Sequence, residues 1–93
     1  MFIGVLTLEL YIAEADSLKA KRTVVNSLLD RIRARFNVSA AQIDAHDMWQ
    51  SATLAVAVVS NDKTTAQLVL NHVRDLAESD GRCDVVGCRN EII

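Results

Sequence analysis

The periodicity of this 93-residue chain predicts an α+β fold, a ferredoxin-like two-layer sandwich of βαββαβ order with a four-stranded antiparallel sheet. Three observations carry that expectation. Apolar residues recur with period two over residues 2–12 and 48–60, and with helical spacing over 18–36 and 62–77. The segment order then reads β-α-β-β-α-β. Right-handed crossovers in that order set both helices on one face of the sheet, with the first and third strands at its centre. Finally, there is no proline and there are only three glycines, so long regular elements joined by short connections fill residues 1–93 as a single domain.

Residues 2–12 alternate cleanly. Phe2, Leu6, Leu8, Leu10 and Ile12 share one face with Gly4 in line, and Ile3, Val5, Thr7, Glu9 and Tyr11 share the other. Asp16 or Ser17 supplies an N-cap. From Leu18 the period changes, and Leu18, Val25, Leu28, Leu29, Ile32 and Phe36 form one helical stripe. Asn37 is placed to close this helix in a left-handed conformation. Val38 to about His46 reads as a weaker strand, and Met48–Ser60 as a strong one with Ala52, Leu54, Val56 and Val58 inward. Asp62 caps a second helix, marked by Ala66, Val69, Val73, Leu76 and Ala77, which ends at Asp80-Gly81. Cys83–Ile93 is the last strand.

Composition excludes several classes. About half the residues are hydrophobic, enough for a core without disulfide or metal staples. No run of eighteen apolar residues spans a bilayer, and the apolar start lacks a basic leader and cleavage pattern. A cytoplasmic location and no membrane partner are the expectation. Cys83 and Cys88 lack metal-ligand spacing, and five residues apart on a strand they face opposite sides. His46 and His72 are isolated, so no metal and no cofactor is expected. Ser17, Ser39 and Ser60 lack a nucleophile elbow, and Gly4, Gly81 and Gly87 are too scattered to form a phosphate loop. No catalytic residues emerge, and the chain is read as non-enzymatic.

The charges of the first helix are the exception to this plainness. A helix N-terminus is electropositive and favours acids, yet Lys19, Lys21 and Arg22 crowd its first two turns. Over Ser17–Arg35 six cations stand against the single acid Asp30, a net +5, whereas the rest of the chain carries −7 within the overall −2. At about 100° per residue, Lys19, Arg22, Asn26, Asp30 and Arg33 fall on one flank. Lys21 lies nearer the core stripe, while Arg31 and Arg35 lie on the opposite flank. Lys19, Arg22, Asn26, Arg33 and Lys21 are therefore the candidate anion or RNA ligands. The competing reading is a solvated helix face whose cations pair with neighbouring carboxylates.

The uncovered sheet face is a second candidate surface. Ile3, Val5, Tyr11, Thr53, Ala55, Ala57 and Val59 point to it, an apolar set of the kind that marks interfaces and homo-oligomers. Only Tyr11 there is aromatic, which argues against base stacking of the type used by RNA-recognition motifs. Trp49 is either an anchor for a partner or a cover over the sheet end. The strand–helix loop Ala13-Glu14-Ala15-Asp16 is acidic and lacks glycine, unlike the loop that acylphosphatase chemistry requires.

Ser17-Leu18-Lys19-x-Lys21-Arg22, Arg35-Phe36-Asn37-Val38, Trp49-Gln50 with Ala52-x-Leu54, and Val58-Val59-Ser60 together resemble the YlxP-like family of small bacterial proteins, domain of unknown function 503. The resemblance covers nearly the whole chain. It implies a ferredoxin-like fold, no established activity and no catalytic residues to carry over. It also implies genes lying beside those of translation and ribosome maturation. On that association, RNA or a ribosome-associated protein is the expected partner of the first helix. An oligomeric or small-ligand regulatory domain using the open sheet is the alternative.

Overall fold

The computed structural model describes every residue except Ala45. Its elements are β1 (Phe2–Tyr11), α1 (Leu18–Arg35), β2 (Ser39–Gln42), β3 (Ser51–Ser60), α2 (Lys63–Glu78) and β4 (Asp84–Ile92). The sheet order is β2-β3-β1-β4, antiparallel throughout, so the two most apolar strands are central. Alternation decides the layers. Leu6, Leu8, Leu10 and Ile12 from one side of β1, with Ala52, Leu54, Val56 and Val58 of β3, are buried beneath the helices. Val25, Leu28, Leu29 and Ile32 of α1 and Ala66, Leu70, Val73, Leu76 and Ala77 of α2 close over them. Leu70, absent from the expected stripe, is fully buried, while Val69 is only partly so.

The ends of elements depart from the sequence reading, each for a local reason. Ser17, not Asp16, is the N-cap of α1, its Oγ accepting the Ala20 amide at 3.0 Å. Asn37 does not close α1 in a left-handed conformation, because no described residue has positive φ. Phe36 instead turns extended (φ −132, ψ 144) with its N–H still bonded to Ile32 O, and its ring packs against the core. A tight turn follows, the Val38 amide donating to Phe36 O at 3.0 Å, and leads the chain into β2. That strand covers four residues, and β3 begins at Ser51 rather than Met48. Past one backbone bond from Ile43 N to Thr53 O, side chains hold this connection: the Asp44 carboxylate accepts the Thr53 amide, and Lys21 Nζ donates to the Met48 carbonyl. At α2 the expected cap holds. Asp62 accepts both the amide and the hydroxyl of Thr65, which keep its carboxyl below the usual aspartate range.

Gly4 marks the tightest packing of α2 on the sheet. A Cβ built there would lie 2.9 Å from Leu70 Cδ1, 3.0 Å from Val58 Cγ1 and 3.3 Å from Ile92 Cδ1. Two of those neighbours are themselves buried, so the space cannot widen without moving α2. Gly4→Val is expected to lower stability by about 3 kcal/mol. Gly4→Ala should cost about 1 kcal/mol, because loss of the unfolded glycine's freedom offsets part of the crowding. Urea unfolding of the two variants measures both, and an alanine variant as stable as wild type would show that α2 yields.

Candidate functional site

The start of α1 has the composition expected of it, with no acid in the first turn and cations at Lys19 and Arg22. Both side chains are exposed, and among the described residues neither enters an ion pair or side-chain hydrogen bond. Asn26 is exposed one turn further along. Arg33 is tethered: its Nη2 donates to Ala40 O at 2.5 Å, and Nη1 lies 3.6 Å from Asp30 Oδ1. Arg31 reaches Asp80 Oδ2 at 3.1 Å, and Arg35 sits over its neighbour's ring, 5.7 Å from the Phe36 centroid.

Lys21 is where the expected ligand set needs correction. Its side chain is only 2% exposed, and its Nζ donates to Met48 O at 2.8 Å and lies 3.5 Å from Asp44 Oδ2. An ammonium so placed belongs to the interior and cannot share a surface anion with Lys19 and Arg22. Asp44 is the acceptor that gathers this region. Besides the Lys21 charge it accepts the Thr53 amide at 2.6 Å and the Gln42 side-chain amide at 3.2 Å, and His46 Nε2 lies 3.3 Å away. Burial raises its pKa, but the Thr53 amide, the Gln42 side chain and the Lys21 charge outweigh that, and the net displacement is downward. His46 Nδ1 in turn accepts the Met48 amide at 3.3 Å.

A second internal cluster lies beyond the C-terminus of α2. The Arg82 guanidinium holds the Asp80 carboxyl below its ordinary value against the opposing effect of burial, with Arg31 adding to it. Arg82 also reaches Ser27 Oγ at 2.9 Å, joining this loop to α1. Cys83 beside it is buried and its thiol is pushed up by that burial. Cys88 is exposed, and neither cysteine is in a disulfide. Among the described residues no group of three or more His, Cys, Asp or Glu is arranged to hold a metal ion, and no helix is long and apolar enough to cross a membrane.

Two surfaces frame this interior. A cleft of about 570 Å³ opens between the β1–α1 and β2–β3 connections, where Glu14, Asp16 and Asp47 meet Met48 and a half-exposed Trp49. Trp49 therefore edges a cleft instead of sealing the sheet end. On the open sheet, Ile3, Val5, Thr53, Ala55 and Ala57 are half-buried, whereas Tyr11 and Val59 are exposed. All seven interface candidates share that face by register, but Tyr11 lies at one end and Ile3 and Val59 at the other. Between them Val5, Ser39, Ala41, Ala55 and Ala57 leave a shallow depression of about 220 Å³.

The sequence profile of a protein family of unknown function, DUF503, matches residues 3–90. The chain belongs to that family. It is 35% identical over 77 residues to the uncharacterised protein YlxP of Bacillus subtilis (strain 168), covering 83% of this chain and 84% of the relative. Among solved structures it resembles the de novo designed protein Foldit4, with a TM-score of 0.54 at 11% identity over 100% of this chain and 97% of the design. It also resembles a designed protein with a ferredoxin fold, LFR1 1, with a TM-score of 0.51 at 12% identity over 99% and 84% of the two chains. These likenesses to idealised backbones establish the ferredoxin-like fold.

The buried contacts of Lys21 and Asp44 have a measurable consequence. Lys21→Met leaves the Asp44 carboxylate without its charge partner, and a loss of about 3 kcal/mol at neutral pH is expected in urea unfolding. The pH dependence follows from the direction of the shifts at Asp44 and Asp80. Their folded-state pKa values are depressed. Their contribution is thus complete above the unfolded-state value near 4 and is lost as pH falls through the lower folded-state values. Melting temperature should fall steeply below about pH 4, and less steeply in Asp80→Asn. Equal acid profiles for the two proteins would remove Asp80 from that account.

Proposed function

We propose that this protein is a non-enzymatic binding module that docks RNA, or the RNA-rich surface of a ribosome-associated particle, through the start of α1. The observation that carries the reading is the pair of exposed, unbridged cations Lys19 and Arg22 on a helix whose charge opposes that of the remaining chain. Helical N–H groups at Leu18 and Lys19 have no intrahelical acceptor, so a phosphate there meets both amides and ammonium or guanidinium groups. Arg33, tied to Ala40 O, supplies a third cation at a fixed position farther along the flank. Acidic surface elsewhere repels a polyanion and limits it to one approach. Glu14 and Asp16 precede the helix and temper the local field, which favours a modest, salt-sensitive affinity over tight binding.

The open sheet supports a second reading, an oligomeric or small-ligand regulatory domain. Its favouring observation is the depression lined by Ala55, Ala57 and Val5, where small side chains leave room for a partner's larger ones.

Binding of wild-type protein to total bacterial RNA or ribosomal particles should weaken linearly in log–log plots against salt. Lys19→Glu with Arg22→Glu should abolish it while leaving the circular dichroism spectrum unchanged. The milder Lys19→Gln/Arg22→Gln pair should reduce the salt slope by about 1.4 on single-stranded RNA. No salt-dependent binding by wild type at low ionic strength would end this reading.

A further inference from the structure

The two edges of the sheet are unlike. β2 offers four residues, too short to template a strand, whereas β4 runs for nine and is exposed along most of its length. A register shift against β1 between Glu9 and Leu10 interrupts the first part of β4, where Gly87 accommodates the Glu9 carboxylate that would collide with any Cβ. Beyond it, residues 88–92 pair regularly. Their polarity is fixed by one observation: Ile3 and Ile93 exchange both backbone hydrogen bonds, at 3.0 and 2.8 Å. With a period of two, Glu91 and Arg89 also turn their amides and carbonyls toward β1. Cys88, Asn90 and Ile92 turn theirs outward, to the free edge.

We propose that this edge pairs antiparallel with the same strand of a second copy, about a two-fold axis at Asn90, joining two four-stranded sheets into one of eight strands. The charges select this register. An axis at Asn90 sets Arg89 opposite Glu91 of the second copy, and Glu91 opposite its Arg89. These are non-hydrogen-bonded pairs, in which side chains approach most closely. Both residues point to the open face, since they pair with Thr7 and Val5, and neither has an ion-pair partner among the described residues. The other axes that the outward amides allow do not have this property, and one at Arg89 or at Glu91 sets that residue opposite its own like charge. An axis at Cys88 faces Arg89 with Gly87, and one at Ile92 faces Glu91 with Ile93.

The helix side of the seam fits the same occupant. Asn90 and Cys88 there are exposed, so α2 does not overhang the edge. Between α2 and β4 lies an apolar groove of about 300 Å³ containing half-exposed Leu68 and Ile92. In the proposed register Cys88 of the second copy lies opposite Ile92, at the mouth of that groove. The seam is short, so the dimer is expected to be weak and concentration-dependent. This pairing is independent of the RNA reading, because it uses the edge most distant from α1.

Sedimentation equilibrium of the full chain at low salt tests the proposal. Wild type should dimerise reversibly at concentrations below about 1 mM. Arg89→Glu and Glu91→Arg should each weaken the dimer about tenfold or more, because either change creates two like-charge pairs. The double swap Arg89→Glu/Glu91→Arg restores opposite charges across the axis and should return affinity to within about threefold of wild type. Circular dichroism melts check that each variant folds. Four results would overturn the proposal: a strictly monomeric wild type, a dimer insensitive to the single reversals, reversals that the double swap fails to rescue, or ready interchain oxidation through Cys88. A dimer broken by Ala57→Asp but not by Arg89→Glu would instead be packed face to face, and would overturn it equally.

Discussion

The ammonium of Lys21 stands on the buried stripe of α1, one turn before Val25, where every neighbour in the stripe is aliphatic. Its stem fills core volume while Nζ leaves the core at the sheet end and meets Met48 O and the Asp44 carboxylate. One side chain thereby fixes two things: the depth of α1 on the sheet, and the path of the connection between β2 and β3. That connection in turn delivers Gln50, whose carbonyl accepts the Ile12 amide and whose side chain donates to Ala13 O, closing the end of the central ladder. Removing two charges from water offsets much of what the pair contributes to stability. Its effect is on selection among arrangements: a connection that strays from this path leaves a buried ammonium unpaired.

Internal pairing also redistributes the charge imbalance evident in the sequence. Lys21 and Arg31 are tied to buried Asp44 and Asp80, while exposed Arg33 lies 3.6 Å from exposed Asp30, so two cations of α1 are matched by acids of the interior. What α1 leaves exposed is Lys19 and Arg22 at its start, Arg33 held by Ala40 O, and Arg35 over the Phe36 ring. The flank thus carries fewer unpaired charges than its composition implies. The acids that remain at the surface include Glu14, Asp16 and Asp47 beside Trp49, adjacent to the basic start rather than remote from it. For a polyanion docked as proposed, these acids favour a path along the helix, away from that cleft.

Local alternation made the order of elements, the two layers and the central strands legible, because burying one face of each strand leaves one topology for that order. The failures share a cause. The Lys21–Met48 contact spans 27 residues and the Arg31–Asp80 contact 49, and no local pattern encodes partners at such separations. A signal was nevertheless present for Lys21, which falls between Leu18 and Val25 on the apolar stripe, where a solvated lysine does not belong. At the end of α1, Asn37 suits a left-handed cap, whereas Phe36 takes the cap position in extended conformation and packs its ring on the core. In β4 the register shift at Val86 breaks the strict alternation on which a sequence reading of Cys83 and Cys88 depends.

Edge and helix are linked through the order of the sheet. α1 packs over β2 and β3, and α2 over β1, β3 and β4, so the free edge of β4 lies at the far side of the layer from the basic helix. In the proposed dimer, a two-fold axis perpendicular to the sheet at that edge keeps both helix layers on one side of the joined sheet. The two α1 helices then lie at its outer ends, roughly 30 Å apart at about 4.8 Å per strand. The two helices run antiparallel, so their uncovered starts lie toward opposite ends of the strands. Two weak sites held at a fixed separation bind an extended polyanion more tightly than either does alone, provided its phosphates span the gap. A modest helix-start affinity and a weak edge pairing would then reinforce each other: an anion bridging both copies stabilises the seam, and the seam raises the effective concentration of the second site.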